Sequence, residues 1–106
     1  MMRDPGTNAA GEPFDKIVID KVWAKGESVW GMESIRKDMY GVPICRFRYG
    51  KEEKKGWEID HIMPLDKGGT DDLSNLQPLF WENNRSKGNK ILKAGHDDSC
   101  ISVIIE

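Results

Sequence analysis

Three side chains that suit phosphate chemistry lie in the C-terminal half of this 106-residue chain. Asp60 and His61 are adjacent at the end of a short apolar run, and Asn84 precedes a run of basic residues. A carboxylate and an amide carbonyl are hard oxygen ligands of the kind that Mg²⁺ and Mn²⁺ prefer. A neutral histidine can take a proton from water. Together these residue types predict a phosphodiesterase that uses one metal ion.

Each of these residues also has an ordinary structural interpretation. An adjacent Asp-His pair commonly makes a surface hydrogen bond, and an asparagine such as Asn84 often stands at a helix terminus. Asn75, which lies between them in the sequence, can be a turn or capping residue. For Asn75 we favour a structural role, in which its amide pins the preceding loop and so orients His61.

The pattern around these residues predicts a strand, a long loop, a second strand and a short helix. "WEIDHI" alternates between apolar and polar residues, and "MPLDKGGTDDLSN" is rich in turn formers. "LQPLFW" is a short strand that Pro78 restricts to an edge or a bulge, and "WENNRSKGNK" favours one or two helical turns. Because a hairpin brings its ends together, Asp60, His61 and Asn84 can converge.

The remainder of the chain is predicted to frame this unit within a single domain, residues 14–106. Apolar residues at helical spacing predict an amphipathic helix from Asp15 to Ala24, which Gly26 ends. "ICRFRY" alternates and predicts a strand with one basic and one apolar face. The tail "CISVIIE" predicts a terminal strand. Residues 1–13, rich in Gly, Pro, Asn and Ala, are expected to be disordered.

Charge and composition limit the classes of function. The net charge is −2, yet residues 36–56 carry seven Lys or Arg against three acids, which fits a phosphate-binding face or an ordinary solvated surface. No apolar run is long enough for a membrane span, and the N-terminus lacks a signal pattern, so we expect a cytoplasmic protein. Cys45 and Cys100 are expected to be free thiols in a reducing cytosol. A cysteine zinc site is not expected either, because such a site needs clustered thiolates.

"WEIDHIMPLDKGGTDDLSNLQPLFWENNRSKG" resembles the motif of the HNH endonucleases, the ββα-metal nucleases. The shared features are the Asp-His pair, Pro64, the Gly-Gly turn, "LSNLQPL" and "NRSKG". The motif core covers residues 57–90, and "VWAKG", "RKDMYGVPI" and "YGK" extend the likeness toward the N-terminus. The resemblance implies an α+β fold, a ββα-metal motif with an N-terminal helix and one additional N-terminal strand packed on it.

The resemblance also implies a role for each site residue. His61 matches the general base, Asp60 a metal ligand, Asn75 the residue that holds the histidine-bearing loop, and Asn84 the second metal ligand. This H-N-N variant has an oxygen-only ligand set, which favours one Mg²⁺ or Mn²⁺ over Zn²⁺ or Ni²⁺. Basic residues are candidates for DNA binding, and these are Arg46, Arg48, Arg85, Lys87 and Lys90.

The chain departs from the family at its cysteines. Many members carry two Cys-x-x-Cys pairs around a structural zinc, whereas here Phe80 and Asn83 stand at the second pair. We therefore expect no structural zinc and expect packing to replace it. The candidates for this packing are Trp57, Phe80 and Trp81 together with a helix face of Ile17, Val18, Val22 and Trp23.

The sequence thus predicts a metal-dependent endonuclease that nicks one DNA strand with little sequence specificity, as a monomer or weak dimer. Two alternatives stay open: an inactive DNA-binding or packaging accessory, and an RNase or toxin-type nuclease.

Overall fold

The structure, a computed structural model, describes residues 4–92 and 104–105. Helix α1, Lys16–Trp23, begins where predicted, because the Asp15 carboxylate accepts a hydrogen bond from the Val18 N–H at 3.1 Å and caps it. The helix buries Val22 and Trp23 but leaves Ile17 67% exposed. The assignment of Ile17 to the packed face was therefore wrong, since that position lies at the solvent edge of the stripe that contacts the core.

A three-stranded antiparallel sheet follows, in the order β1-β2-β3: Glu27–Val29, Met32–Lys37 and Pro43–Cys45. Only the last of these strands was predicted. The β1–β2 hairpin turns at Trp30-Gly31, where Gly31 adopts a φ of 78°, a left-handed conformation that favours glycine. The N-terminal half thus contributes a small sheet rather than a single additional strand.

The predicted strand through Tyr49 ends early. After Cys45 the chain enters a 3₁₀ turn, Arg46–Arg48, so the expected alternation of a basic and an apolar face is lost. Phe47 is 75% exposed instead of lying on an apolar face. The 3₁₀ turn accompanies a long-range contact that the sequence pattern does not show: the Arg46 guanidinium pairs with the Asp20 carboxylate on α1.

The ββα unit forms as predicted. Strand β4, Trp57–His61, pairs antiparallel with β5, Leu76–Phe80, and helix α2, Trp81–Lys87, follows β5 directly. Pro78 lies opposite Ile59. Among the described residues the pair has no further strand, so both strands are edges that tolerate proline. Two 3₁₀ turns, Leu65–Lys67 and Leu73–Asn75, shape the intervening loop.

The core lies between α1 and the β4–β5 pair. The side chains that build it share near-complete burial; they are Phe14, Val22, Trp23, Ile44, Trp57, Ile59 and Leu76, with Phe80 packed against them. Trp23 and Tyr49 both contact the Trp57 ring, at centroid distances of 5.3 and 4.9 Å. Trp81, expected in this core, is only half-buried, with the Arg85 guanidinium 5.6 Å from its ring.

A buried carboxylate ties the two halves of the protein together. One oxygen of Asp38, after β2, accepts hydrogen bonds from the backbone N–H groups of Tyr40 and Val42. The other accepts from the Phe80 N–H at 3.0 Å and from Asn83 Nδ2 at 2.9 Å. Phe80 and Asn83 are the positions where a second cysteine pair was expected in zinc-containing relatives. Asp38 therefore holds the start of α2 by hydrogen bonds.

Both ends of the described chain contain short elements outside the core. In the tail, β6, Ile91–Leu92, pairs with β7, Ile104–Ile105; Cys100 and the rest of the predicted terminal strand lie outside the described residues. Residues 4–13 form turns, one of which is held by a hydrogen bond from the Asn8 N–H to the Glu12 carbonyl at 2.8 Å. The expected disorder of residues 1–13 stays a prediction. Within the described chain, no helix has the length and apolar character needed to cross a membrane.

The core predicts a sharp contrast between two tryptophans. Trp57→Ala should lower the free energy of unfolding by about 3–5 kcal/mol, because it empties a fully buried site between α1 and β5. Trp30→Ala, at the tip of the β1–β2 hairpin, where the side chain is 98% exposed, should change it by less than about 0.5 kcal/mol. Urea denaturation followed by far-UV circular dichroism measures both. Equal losses in the two variants would contradict this description of the core.

Candidate active site

The three residues predicted to carry the chemistry, Asp60, His61 and Asn84, line one cleft of about 590 Å³. Asp60 and His61 reach it from the end of β4, and Asn84 reaches it from α2. Pro64 and Leu65 line it from the loop between the strands. Residues distant in the sequence thus converge because β5 returns the chain along β4 and delivers α2 to the same end.

Asp60 is held by two partners inside the protein. Its carboxylate is 4% exposed; one oxygen lies 3.1 Å from the Lys87 Nζ, and the other accepts a hydrogen bond from Gln77 Nε2 at 2.9 Å. Burial raises the pKa of the Asp60 carboxyl, whereas the charge of Lys87 and both hydrogen bonds act in the opposite direction. Each oxygen retains acceptor capacity, because a carboxylate oxygen can accept more than one bond.

Lys87 lies inside the protein. Its side chain is almost fully buried, and besides Asp60 it donates a hydrogen bond to the His61 carbonyl at 2.9 Å. This placement differs from that expected of a surface lysine that contacts DNA. The signal in the sequence was ambiguous, because "NRSKG" marks the residue as part of the motif without showing which way it points.

His61 is buried and has a carboxylate partner that was not predicted. Its Nε2 lies 2.8 Å from Oδ1 of Asp71, and its ring packs 5.9 Å from that of Phe14. A carboxylate only accepts hydrogen bonds, so Nε2 carries the proton and Nδ1 carries the lone pair of the neutral ring. Among the described residues, no group donates to Nδ1. The arrangement leaves a basic nitrogen on a histidine at the cleft.

The N-terminal segment holds Asp71 from the other side. The backbone N–H of Ala9 lies 3.0 and 3.1 Å from the two Asp71 oxygens. Pro5 and Gly6 line the cleft beside Asp60. Sequence patterns did not indicate the contact between Ala9 and Asp71, since these two residues lie 62 positions apart.

Asn75 binds the loop that follows His61. Its Oδ1 accepts a hydrogen bond from the Met63 N–H at 2.8 Å, and its Nδ2 donates to the carbonyls of Met63 and Thr70 at 3.1 and 2.9 Å. The loop also needs Gly69, because a Cβ there would lie 1.8 Å from the Met63 carbonyl oxygen. Asn75 thus uses its whole amide on the backbone of the loop.

The Asn84 amide faces a buried acid. Its Nδ2 donates to Oε1 of Glu58 at 2.7 Å, and no group among the described residues donates to its Oδ1. Arg85 bonds the same carboxylate and also that of Glu52, at 2.6 and 2.9 Å. These hydrogen bonds, with that to Glu58 foremost, raise the pKa of the Arg85 guanidinium.

The residues fit a small hard cation. The Asp60 carboxylate and the Asn84 carbonyl supply two oxygen donors at one cleft, which is a set suited to Mg²⁺ or Mn²⁺ with its other ligands from water or phosphate. In the described part of the chain, no group of three or more His, Cys, Asp or Glu is placed to hold a metal ion, so water or phosphate would have to supply most of the ligands.

The remaining basic candidates are spread over the surface. Arg46 is paired with Asp20, and Arg48 donates to the Lys54 carbonyl at 2.8 Å. Lys90 follows α2 and is exposed. The other histidine, His96, lies outside the described residues.

Removing the loop brace should loosen the loop before it affects the rest. Asn75→Ala breaks three hydrogen bonds, so we expect it to lower the free energy of unfolding by about 1–3 kcal/mol and to speed hydrogen exchange at the Met63 amide. Exchange measured by NMR checks this. Asn89→Ala, which loses one exposed hydrogen bond to Asp66, is the matched control and should leave Met63 protected.

One family comparison agrees with this geometry. Residues 44–90 match the family model described as HNH endonuclease, a range that includes the last two residues of β3, the whole ββα unit and every predicted site residue. Neither a curated protein nor a solved structure matches the chain. Residues 44–90 of this chain are an HNH endonuclease domain, in an α+β fold.

Proposed function

We propose that this protein is a metal-dependent endonuclease that hydrolyses DNA phosphodiester bonds and nicks one strand with little sequence specificity. The observation that carries the proposal is the meeting of Asp60, His61 and Asn84 at one cleft within the matched domain. Nothing in the described chain resembles an element that reads base edges, which supports weak specificity. The single candidate site in the described part of the chain supports a single-strand cut by a monomer or weak dimer.

His61 is the general base of the proposed reaction. Its Nδ1 takes a proton from a water molecule, the water oxygen attacks the phosphorus, and the bond to the 3′ oxygen breaks. The products are a 5′-phosphate and a 3′-hydroxyl end. As His61 becomes positively charged, the Asp71 carboxylate at 2.8 Å stabilises the imidazolium.

Asp60 and Asn84 would hold the metal ion. A divalent cation, Mg²⁺ or Mn²⁺, supplies Lewis-acid stabilisation of the negative charge that develops on the phosphate and the leaving oxygen. Within the chain itself, Gln77 and Lys87 hold the Asp60 side chain in one orientation. Arg85, at the edge of the cleft, and exposed Lys90 can contact flanking phosphates.

A plasmid assay tests the activity and the base together. Wild-type protein with Mg²⁺ or Mn²⁺ should convert supercoiled plasmid to the nicked form, and His61→Ala should slow this by roughly 10²–10⁴-fold. His96→Ala, which changes the chain's other histidine, should nick at the wild-type rate. A wild-type protein inactive on DNA with every divalent metal, or active on RNA alone, would contradict the proposal.

The neighbouring acids Asp71 and Asp72 allow a matched test of the His61 partner. Asp71→Asn should slow nicking by at least about tenfold, because an amide can donate to Nε2 and so favour the tautomer that protonates Nδ1. Asp72→Asn, one residue away and exposed, should retain the wild-type rate. Rates are measured at saturating metal with both variants checked by circular dichroism. Equal rates for the two variants would remove Asp71 from the mechanism.

A further inference from the structure

A second buried carboxylate lies beside the proposed metal ligands. Glu58 stands two residues before Asp60 on β4, so the two side chains project from the same face of the strand, toward α2. Glu58 is only 4% exposed, although glutamate is rarely buried without a partner. Glu58 takes no part in the proposed proton transfer or in metal binding.

The contacts of Glu58 determine which way the Asn84 amide points. Glu58 accepts a hydrogen bond from Asn84 Nδ2 at 2.7 Å, and an ionised carboxylate cannot donate one in return. The NH₂ group of Asn84 must therefore face Glu58, and its carbonyl oxygen must face away. Asn84 lines the cleft with Asp60 and His61, and among the described residues no group donates to its carbonyl oxygen.

Arg85 holds the Glu58 carboxylate in place. Its Nη2 lies 2.6 Å from Oε2 of Glu58, and its Nε lies 3.3 Å from Oε1. This pairing supplies a partner for a carboxylate that would be costly to bury alone. Without this carboxylate, the terminal torsion of an asparagine has two nearly equivalent orientations, and one of them would turn the NH₂ group toward a cation.

We propose that Glu58 is a positioning residue that fixes the amide of Asn84 so that its carbonyl oxygen is available to a divalent cation before the cation arrives. This inference rests on the proposed function, since it takes Asn84 as a metal ligand. Glu58 acts through Asn84 and does not bind the cation itself, because Asp60 and Asn84 line the cleft and Glu58 does not.

A double-mutant cycle on Mn²⁺ affinity tests this, with electron paramagnetic resonance of free Mn²⁺ as the readout. Glu58→Leu and Asn84→Ala should each weaken binding by about 10–100-fold. The double variant should bind no more weakly than Asn84→Ala alone, because Glu58 has nothing left to orient. Glu52→Gln is the matched control: it removes the other, exposed acid bound to Arg85 and should stay within about twofold of wild type.

Glu58→Gln covers the case in which Glu58→Leu does not fold. Glutamine keeps a carbonyl that can accept from Asn84, so its loss of affinity should be smaller than that of Glu58→Leu and should also vanish in the Asn84→Ala background.

Two results would overturn the inference and leave the proposed function standing. One is wild-type Mn²⁺ affinity in a folded Glu58→Leu variant. The other is additive losses in the cycle, which would mean that Glu58 acts independently of Asn84. Failure of the proposed ligand set looks different: wild-type protein would not bind Mn²⁺, or Asn84→Ala would bind it as tightly as wild type.

Discussion

Two carboxylates on one face of a fully buried strand are the constraint around which the site is built. Glu58 and Asp60 would be costly to bury alone, and α2 supplies a partner for each, Arg85 for the first and Lys87 for the second. This charge matching fixes how the helix lies against β4. Since α2 follows β5 without a break, the register of the strand pair also sets the position of Asn84.

Local pattern predicted the parts of the fold that local sequence controls. The alternation in "WEIDHI", the turn formers before Asn75 and the helical spacing of apolar residues after Asp15 each indicated an element that the structure contains. Errors arose where a distant contact prevails over pattern. "CRFRY" alternates like a strand, yet the pairing of Arg46 with Asp20 on α1 accompanies a 3₁₀ turn. The β1–β2 hairpin was missed because its strands are short and mostly exposed.

The candidate site was predictable only as far as its motif extends. Asp60, His61, Asn75 and Asn84 stand at recognisable positions, but the partners that hold them do not. Asp71, Glu58 and Asp38 are unremarkable acids in the sequence, and each acquires its role from a three-dimensional contact. Asp38 shows this best, because its carboxylate accepts hydrogen bonds from Phe80 and Asn83, where packing of aromatic residues and a helix face had been expected to replace the zinc.

The buried Lys87–Asp60 pair also separates folding from metal supply. In many small metalloproteins the ion provides the cross-link, so that its loss unfolds the chain. Here the Lys87 ammonium already balances the carboxylate of Asp60, the proposed ligand, and hydrogen bonds from Gln77 to Asp60 and from the Phe80 N–H to Asp38 hold the surrounding backbone and side chains. We expect such a domain to fold without the ion as a cross-link, and the ion to add to its stability by mass action.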